Sequence, residues 1–423
     1  MKFIYKHFVL TGVAIIGLVA VAYFLAPAFL SVSYKPATAS QVAAANVAAV
    51  AEATASNTAA SLETGIPGVS VTHLKTPNPV KALYMTACVA ATPSWRTKLM
   101  NLIDTTELNS IVIDIKDYSG TISYFSTDPK LPKTTGSGCR VKDMQAFIAE
   151  LHAKNIYVIG RITVFQDPYY TKEHPELAVK RASDGGVWKD HKGLSFIDVS
   201  AKPYWEYIAE LARDAYAQGF DELNFDYVRF PSDGNMEDIA YPWSGKMEKS
   251  LALENFFAYL QQAVKPTGAV MSVDLFGMTT TNYDDLGIGQ VLETAMAHFD
   301  YVDPMVYPSH YPPHFNGWKN PNDYPYDLIK YVMTRGVERA EATSTPEYTL
   351  GATRIGTSTP ARYTKPAYDK NKLRPWLQDF QYGGYYGPVQ VRDQIKATYD
   401  VGLSSWLLWD PGNKYTPAAL LPK

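Results

Sequence analysis

The chain has 423 residues, with 42 acidic against 39 basic side chains and a formal charge of only −3. No Lys/Arg block stands out beyond the first few residues, so nucleic acid is not an expected partner. Two cysteines, Cys88 and Cys139, exclude a disulfide-rich scaffold and a cysteine-built zinc site; they read as two unrelated buried thiols, or as one bridge if the compartment is oxidising.

Lys2, Lys6 and His7 precede a run from Phe8 to Leu30 that carries no charge. At a rise of about 1.5 Å per residue, that run spans a bilayer core of roughly 30 Å. It is longer than the roughly 7–15 residues of a cleaved signal, which predicts an uncleaved membrane anchor over residues 1–30. Ala37-Thr38-Ala39 keeps open a cleaved, secreted form. Lysines ahead of the span place the N-terminus inside and the remainder outside. Residues 31–80 are rich in Ala, Ser, Thr, Val and Pro, with a weak helix at 41–60 that has no apolar stripe. They read as a flexible linker tethering a globular body over residues 81–423.

From residue 81, short apolar runs alternate with helical stretches, as in βα units. Strands are expected at 82–89, 110–116, 156–164, 223–228, 269–275 and 301–306. The seventh falls at 348–352 or 376–379, and the eighth at 404–409. Helices are expected at 94–105, 141–154, 202–218, 249–264, 288–298, 326–339 and 389–401. The fold class is therefore α/β, a (β/α)₈ TIM barrel with loop insertions. Its centre is Gly219-Phe-Asp-Glu-Leu-Asn-Phe-Asp-Tyr-Val-Arg-Phe-Pro231. There Leu223, Phe225 and Tyr227 alternate with Asn224 and Asp226 at the strand period of two.

One strand parity faces the barrel lumen and the other packs on helices. Assigning the isoleucines of 111–115 to the helix side turns Asp114 and Lys116 inward. The same choice, strand by strand, turns in Arg161, Asn224, Asp226, Asp274, Asp303 and Tyr307. Charges so placed must pair or meet a ligand. Glycoside hydrolysis requires two carboxyl groups flanking the scissile bond. Asp226 and Asp274 lie on consecutive strands about 4.8 Å apart, close enough for the roughly 5–6 Å that retention needs. Asp226 beside Arg161 stays ionised as the nucleophile; Asp274, among other acids, has its pKa raised and holds the proton. Asp303 and Asp114 are lesser alternatives. Asp117, Arg229, Tyr307 and His310 are candidate substrate contacts, together with Asp114, Arg161 and Asn224. Of the 8 tryptophans, Trp376 and Trp409 are the preferred stacking platforms, while Trp188, Trp243 and Trp318 are weaker ones. No HExxH, Walker loop, GxGxxG after a strand or GxSxG occurs, and neither metal nor cofactor is expected.

Several stretches together resemble a family of bacterial TIM-barrel proteins named as a putative glycoside hydrolase domain. They are Val112-Ile-Asp-Ile-Lys-Asp117, Arg161-Ile-Thr-Val-Phe-Gln-Asp-Pro168, Gly219–Gly234, Ser272-Val-Asp-Leu-Phe-Gly277, Asp285-Leu-Gly-Ile-Gly-Gln290, Pro304-Met-Val-Tyr-Pro-Ser-His-Tyr311, Arg374-Pro-Trp-Leu-Gln-Asp379 and Trp406-Leu-Leu-Trp409. The resemblance covers residues 81–412. It implies a sugar-cleaving barrel, distantly similar to α-amylase and α-galactosidase types, with the nucleophile ending strand four at Asp226. It favours 376–379 as strand seven, with 340–368 an insertion. Asp303 departs from the small polar residue that the family implies there, and Asp410 from an Asn. The expected activity is cleavage of extracellular or cell-envelope polysaccharide, and the alternative is a non-catalytic carbohydrate-binding barrel.

Overall fold

The computed structural model describes residues 71–423 apart from Thr134 and Ser137. The expected membrane segment over residues 8–30 and the weak helix at 41–60 lie outside the described residues. No helix among those described is long and apolar enough to cross a membrane.

Eight parallel strands close into a barrel: β1 Lys81–Met85, β2 Ser110–Lys116, β3 Tyr157–Thr163, β4 Glu222–Asp226, β5 Val270–Phe276, β6 Tyr301–Met305, β7 Trp376–Gln378 and β8 Trp406–Trp409. Each strand pairs with its sequence neighbours, and β8 returns to β1 with Leu83 opposite Leu408. The longer helices are α1 Pro93–Thr105, α2 Met144–Ala153, α3 Lys202–Gln218, α4 Lys249–Val264, α5 Leu292–His298, α6 Pro325–Glu341 and α7 Pro388–Asp400. Strand seven is the later of the two expected segments. Its seam with β6 rests on the pair Met305–Trp376 and a bridge from Val302 to Leu373. Pro304, between Val302 and Val306 whose backbones bond across that seam, has no N–H to donate to it, which contributes to its thinness. The insertion before β7 carries a two-residue ribbon, Ser344–Thr345 against Tyr363–Thr364.

The main apolar core lies between sheet and helices, where Ile111, Ile113, Ile115, Val158, Ile162, Leu223, Phe225, Val273 and Leu275 are all fully buried. A smaller set from the other parity, including Ala82, Val112, Ile159 and Leu407, fills the lumen. Gly219 ends α3 in the left-handed region, at φ 111°, and turns the chain into β4.

Three expectations are corrected. Residues 71–80, assigned to the linker, pack on the barrel: Leu74 N–H donates to Asp221 (2.6 Å), and Thr76 meets the Tyr157 hydroxyl (2.9 Å). Lys116 does not face the lumen. The register between β2 and β3 shifts after Asp114, and Lys116 turns outward to Asp167 (2.7 Å) and the Tyr204 hydroxyl (3.2 Å). Cys88 and Cys139 are not separate buried thiols but a disulfide, with Cys88 exposed, that ties the loop after β1 to the loop after β2.

The bridge closes a loop with a sequence separation of 51. Reduction, or Cys139→Ala, is expected to lower the unfolding free energy by about 2–4 kcal/mol. Urea melts with and without reductant measure this, and coincident curves would show that the bridge does not constrain the chain.

Candidate active site

At the C-terminal end of the strands, an open cavity of about 330 Å³ is lined by side chains from β3 to β8 and the loops that follow them. Asp226 ends β4 and Asp274 lies on β5; both line the cavity, and they are 4% and 1% exposed. Active sites of this barrel class occupy the same end.

Arg161 of β3 organises the carboxyl groups. Its Nε and Nη2 donate to Asp226 Oδ2 (3.0 and 2.5 Å), and its Nη1 donates to Asp114 Oδ1 (2.7 Å). The same Nε lies 4.0 Å from Asp274 Oδ2. The Asp226 and Asp274 oxygens are therefore no more than about 7 Å apart, the sum of their distances to that nitrogen. Asp114 also accepts from the Tyr84 hydroxyl (2.6 Å). The Tyr84 ring stacks on Trp409, with centroids 4.0 Å apart, and the Arg161 guanidinium sits 5.1 Å from the Trp409 ring.

Asp274 has different surroundings. Its Oδ1 accepts from Asn224 Nδ2 (2.9 Å) and from Trp376 Nε1 (2.8 Å). Burial, then the negative charges of Asp226 and Asp303, push its carboxyl well above the ordinary carboxylate range, against the pull of Arg161. With Oδ1 occupied by two N–H donors, the proton is favoured on Oδ2. Asp226, by contrast, is held by two guanidinium N–H groups and by the N–H of Tyr227 on Oδ1 (2.6 Å). These are the surroundings of an ionised carboxylate.

Beneath the cavity lies a second charge cluster, of which only Asp303 was expected in the lumen. Arg374, just before β7, bonds to both Glu222 of β4 and Asp303 of β6; all three are fully buried. Burial raises Asp303 to about 6, opposed by the Arg374 charge. Asp303 is thus engaged away from the cavity wall, which removes the ground for its alternative role. Glu222 and Arg374 share parity with Asn224 and Trp376, so the period-two rule could have placed them. Their pairing joins residues far apart in sequence, and only barrel closure shows it.

Of the other candidates, Arg161, Arg229, Tyr307, His310, Trp376 and Trp409 line the cavity. Three expected contacts do not. Asp114 is spent on Arg161 and Tyr84. Asn224 is fully buried and links Ser272, Asp274 and Asp303 from below. Asp117 accepts from Ser119 N–H (2.9 Å) and Oγ (2.6 Å) in its own turn. Trp188, Trp243 and Trp318 also lie away from the cavity lining. Tyr227 was expected on the helix side. It takes the left-handed conformation (φ 52°), directly follows the last residue of β4 and joins the cavity wall. Tyr84 of β1 shares the lumen-facing parity of Ala82, and the alternation over 82–85 could have placed it beside Asp114.

A family model described as a putative glycosyl hydrolase domain matches residues 82–415. The chain belongs to that family. A hypothetical protein from Ruminiclostridium thermocellum ATCC 27405 is 34% identical over 45% of this chain and 96% of its own, with a TM-score of 0.40. The glycoside hydrolase domain of PgaB (BpsB) from Bordetella bronchiseptica is 12% identical, with a TM-score of 0.55 over 79% of this chain and 95% of that one. At that identity the likeness is one of fold. An α-galactosidase from Thermus thermophilus has a TM-score of 0.47 at 11% identity, covering 82% of this chain and 61% of its own. No curated protein matches. The family match supports a glycoside hydrolase-like function.

Because Arg374 is enclosed with two carboxylates, Arg374→Met should destabilise the family member by about 3–5 kcal/mol. Adding Glu222→Gln and Asp303→Asn should recover most of the loss. Urea denaturation reads both effects, and a neutral single variant would show that the cluster does not hold the barrel floor.

Proposed function

We propose that the protein hydrolyses glycosidic bonds in a polysaccharide or oligosaccharide, with Asp226 as nucleophile and Asp274 as acid and then base. The observation that carries this reading is the asymmetry of two carboxyl groups on one cavity wall. One is clamped by a guanidinium, and the other is buried among acids with one oxygen free of N–H donors. In this mechanism the Asp274 Oδ2 proton passes to the leaving oxygen as the Asp226 carboxylate attacks the anomeric carbon. The Arg161 pair with Asp226 weakens as the ester forms, while its bond to Asp114 remains. Asp274 then takes a proton from the water that releases the sugar. The bound of about 7 Å on the oxygen separation includes the roughly 5–5.5 Å of retaining enzymes.

The second reading, carbohydrate binding without cleavage, has one feature in its favour: Asp226 Oδ2 already accepts two N–H groups from Arg161. A panel of polysaccharides incubated with the full chain, scored by release of reducing ends, separates the two. Asp226→Asn should lower kcat on the order of 10³-fold or more with a melting temperature close to the parent's. Unchanged turnover would remove Asp226 from the mechanism. Retained stereochemistry in the first-formed product is the expected NMR result, and inversion would recast Asp226 as a general base.

Asp274→Asn should lower kcat by about 10²–10⁴ on substrates with poor leaving groups and far less on activated aryl glycosides. Since the Asp274 pKa is raised, its acid form persists above the ordinary carboxylate range, and activity falls only as pH climbs through that raised value. The alkaline limb of kcat/KM should disappear in Asp274→Asn. A limb that stays in place would assign the proton to another group.

We also propose that residues 8–30 anchor the chain and that the barrel lies outside the cytoplasm. The exposed Cys88–Cys139 bridge supports an oxidising compartment. Deleting residues 1–35 should move the protein from the membrane to the soluble fraction with an unchanged melt; aggregation or a broadened melt would count against the tether.

A further inference from the structure

One cavity-wall side chain has no part in the two-carboxylate chemistry. Arg229 follows β4 by three residues, is 8% exposed and lines the same cavity as Asp226 and Asp274. The three other buried arginines each hold a carboxylate: Arg161 has Asp114 and Asp226, Arg339 has Glu293, and Arg374 has Glu222 and Asp303. Among the described residues, no carboxylate oxygen lies within 4.0 Å of the Arg229 guanidinium. Its Nη1 donates to the Phe230 carbonyl (3.2 Å) and to Ser232 Oγ (3.0 Å). Its Nε and Nη2 donate to nothing among the described residues. That leaves one edge of the fork, the edge that grips an oxyanion with two parallel N–H bonds, without an acceptor.

The guanidinium is also held in place. It lies 5.1 Å from the Tyr227 ring, 5.0 Å from Phe276 and 5.8 Å from Phe196. Tyr227 and Phe276 belong to the cavity wall as well. Rings of this kind stabilise a cation through their faces but leave its N–H edges unsatisfied. Burial pulls Arg229 below the ordinary arginine range; the charges of Asp226, Asp233 and Asp190 oppose this only from a distance. A cation withdrawn from water and left without a counterion is costly. The Asp226 carboxylate is already engaged by Arg161, and among the described residues no carboxylate pairs directly with Arg229.

We propose that Arg229 receives an oxyanion carried by the substrate sugar, a uronic-acid carboxylate or an ester sulfate, and that the hydrolase acts on an acidic polysaccharide. This rests on the hydrolase reading for the word substrate, but the binding it asserts is measurable without cleavage. The planar fork favours a carboxylate or sulfate over a hydroxyl, and its place beside Asp226 puts the anionic substituent on the ring being cleaved or its neighbour.

The test compares matched polymers on the full chain: alginate and hyaluronan against their carboxyl-reduced forms, and dextran sulfate against dextran. Calorimetric titration reads affinity, and reducing-end release is scored separately. At least one acidic polymer should bind about tenfold or more tightly than its neutral partner, a difference of about 1.4 kcal/mol. The carboxylate and sulfate arms show which oxyanion is taken. Arg229→Gln should abolish the preference and Arg229→Lys should keep part of it, with melts confirming that each variant is folded. No acidic preference in the parent protein, or a preference unchanged in Arg229→Gln, overturns the proposal. The parent comparison stands even if the glutamine variant does not fold. Acidic preference without cleavage of any polymer would sink the hydrolase reading and spare Arg229. Cleavage confined to neutral polymers would do the reverse.

Discussion

Three acidic side chains can occupy the mouth of this barrel because one guanidinium stands among them. Arg161 gives Nη1 to Asp114, gives Nε and Nη2 to Asp226, and lies 4.0 Å from Asp274. Remove that charge and Asp114 and Asp226 would be two nearly water-free carboxylates without a counterion. That condition is met in proteins by protonation or by unfolding. The fork geometry matters as much as the charge. A lysine could neutralise one neighbour, but it could not hold two carboxylates at fixed angles while Trp409 packs beside it.

The lumen is consequently ordered in two tiers. The lower tier, Glu222–Arg374–Asp303, closes the floor, and the upper tier, Asp114–Arg161–Asp226, lies at the mouth. Asn224 ties the lower tier to Asp274, since its Nδ2 reaches both Asp303 Oδ2 (3.3 Å) and Asp274 Oδ1 (2.9 Å). Asp274 feels both tiers at once. Burial, and then negative charge below and beside it, raises its pKa, while Asn224 and Trp376 hold Oδ1 in place. A carboxyl whose pKa is raised by its surroundings and whose Oδ1 is fixed by its partners suits the general-acid role proposed for it.

This arrangement was partly legible in the amino-acid sequence. Period-two alternation in Leu223–Asp226 and in Met271–Leu275 was enough to turn Asp226 and Asp274 into one lumen, and isoleucines at 111, 113 and 115 fixed the phase of β2. The failures have particular causes. Lys116 continued the inward parity on paper, but the register shift after Asp114 rotates it out to Asp167. Tyr227 continued the outward parity, but its left-handed backbone breaks the alternation and puts its ring into the wall. Asp303 reads as a possible catalyst because its partner, Arg374, lies just ahead of the one strand for which the sequence offers two positions. Asp117 has the turn chemistry that a sequence cannot tell from a ligand contact. A bulge, a positive φ and a long-range ion pair have no local signature.

The same distinction separates what the strands hold from what the loops beyond them select. The carboxyl pair is on β4 and β5, where paired backbone fixes the side chains. The remaining wall is shared between strand residues, Arg161, Phe276, Met305, Trp376 and Trp409, and residues beyond strand ends, among them Tyr227, Arg229, Gly277 and Tyr311. Gly277 shows how closely that wall is packed, since a Cβ there would come within 2.5 Å of both the Met305 carbonyl oxygen and the Tyr311 hydroxyl. A side chain at 277 would push Tyr311 or the end of β6 and so reshape the cavity without touching either acid. In the proposed reading the cleaving acids sit on strands, whereas Arg229, proposed to contact the sugar, sits beyond one. Relatives that share only the barrel inform the placement of the acids more than the unpaired edge of Arg229.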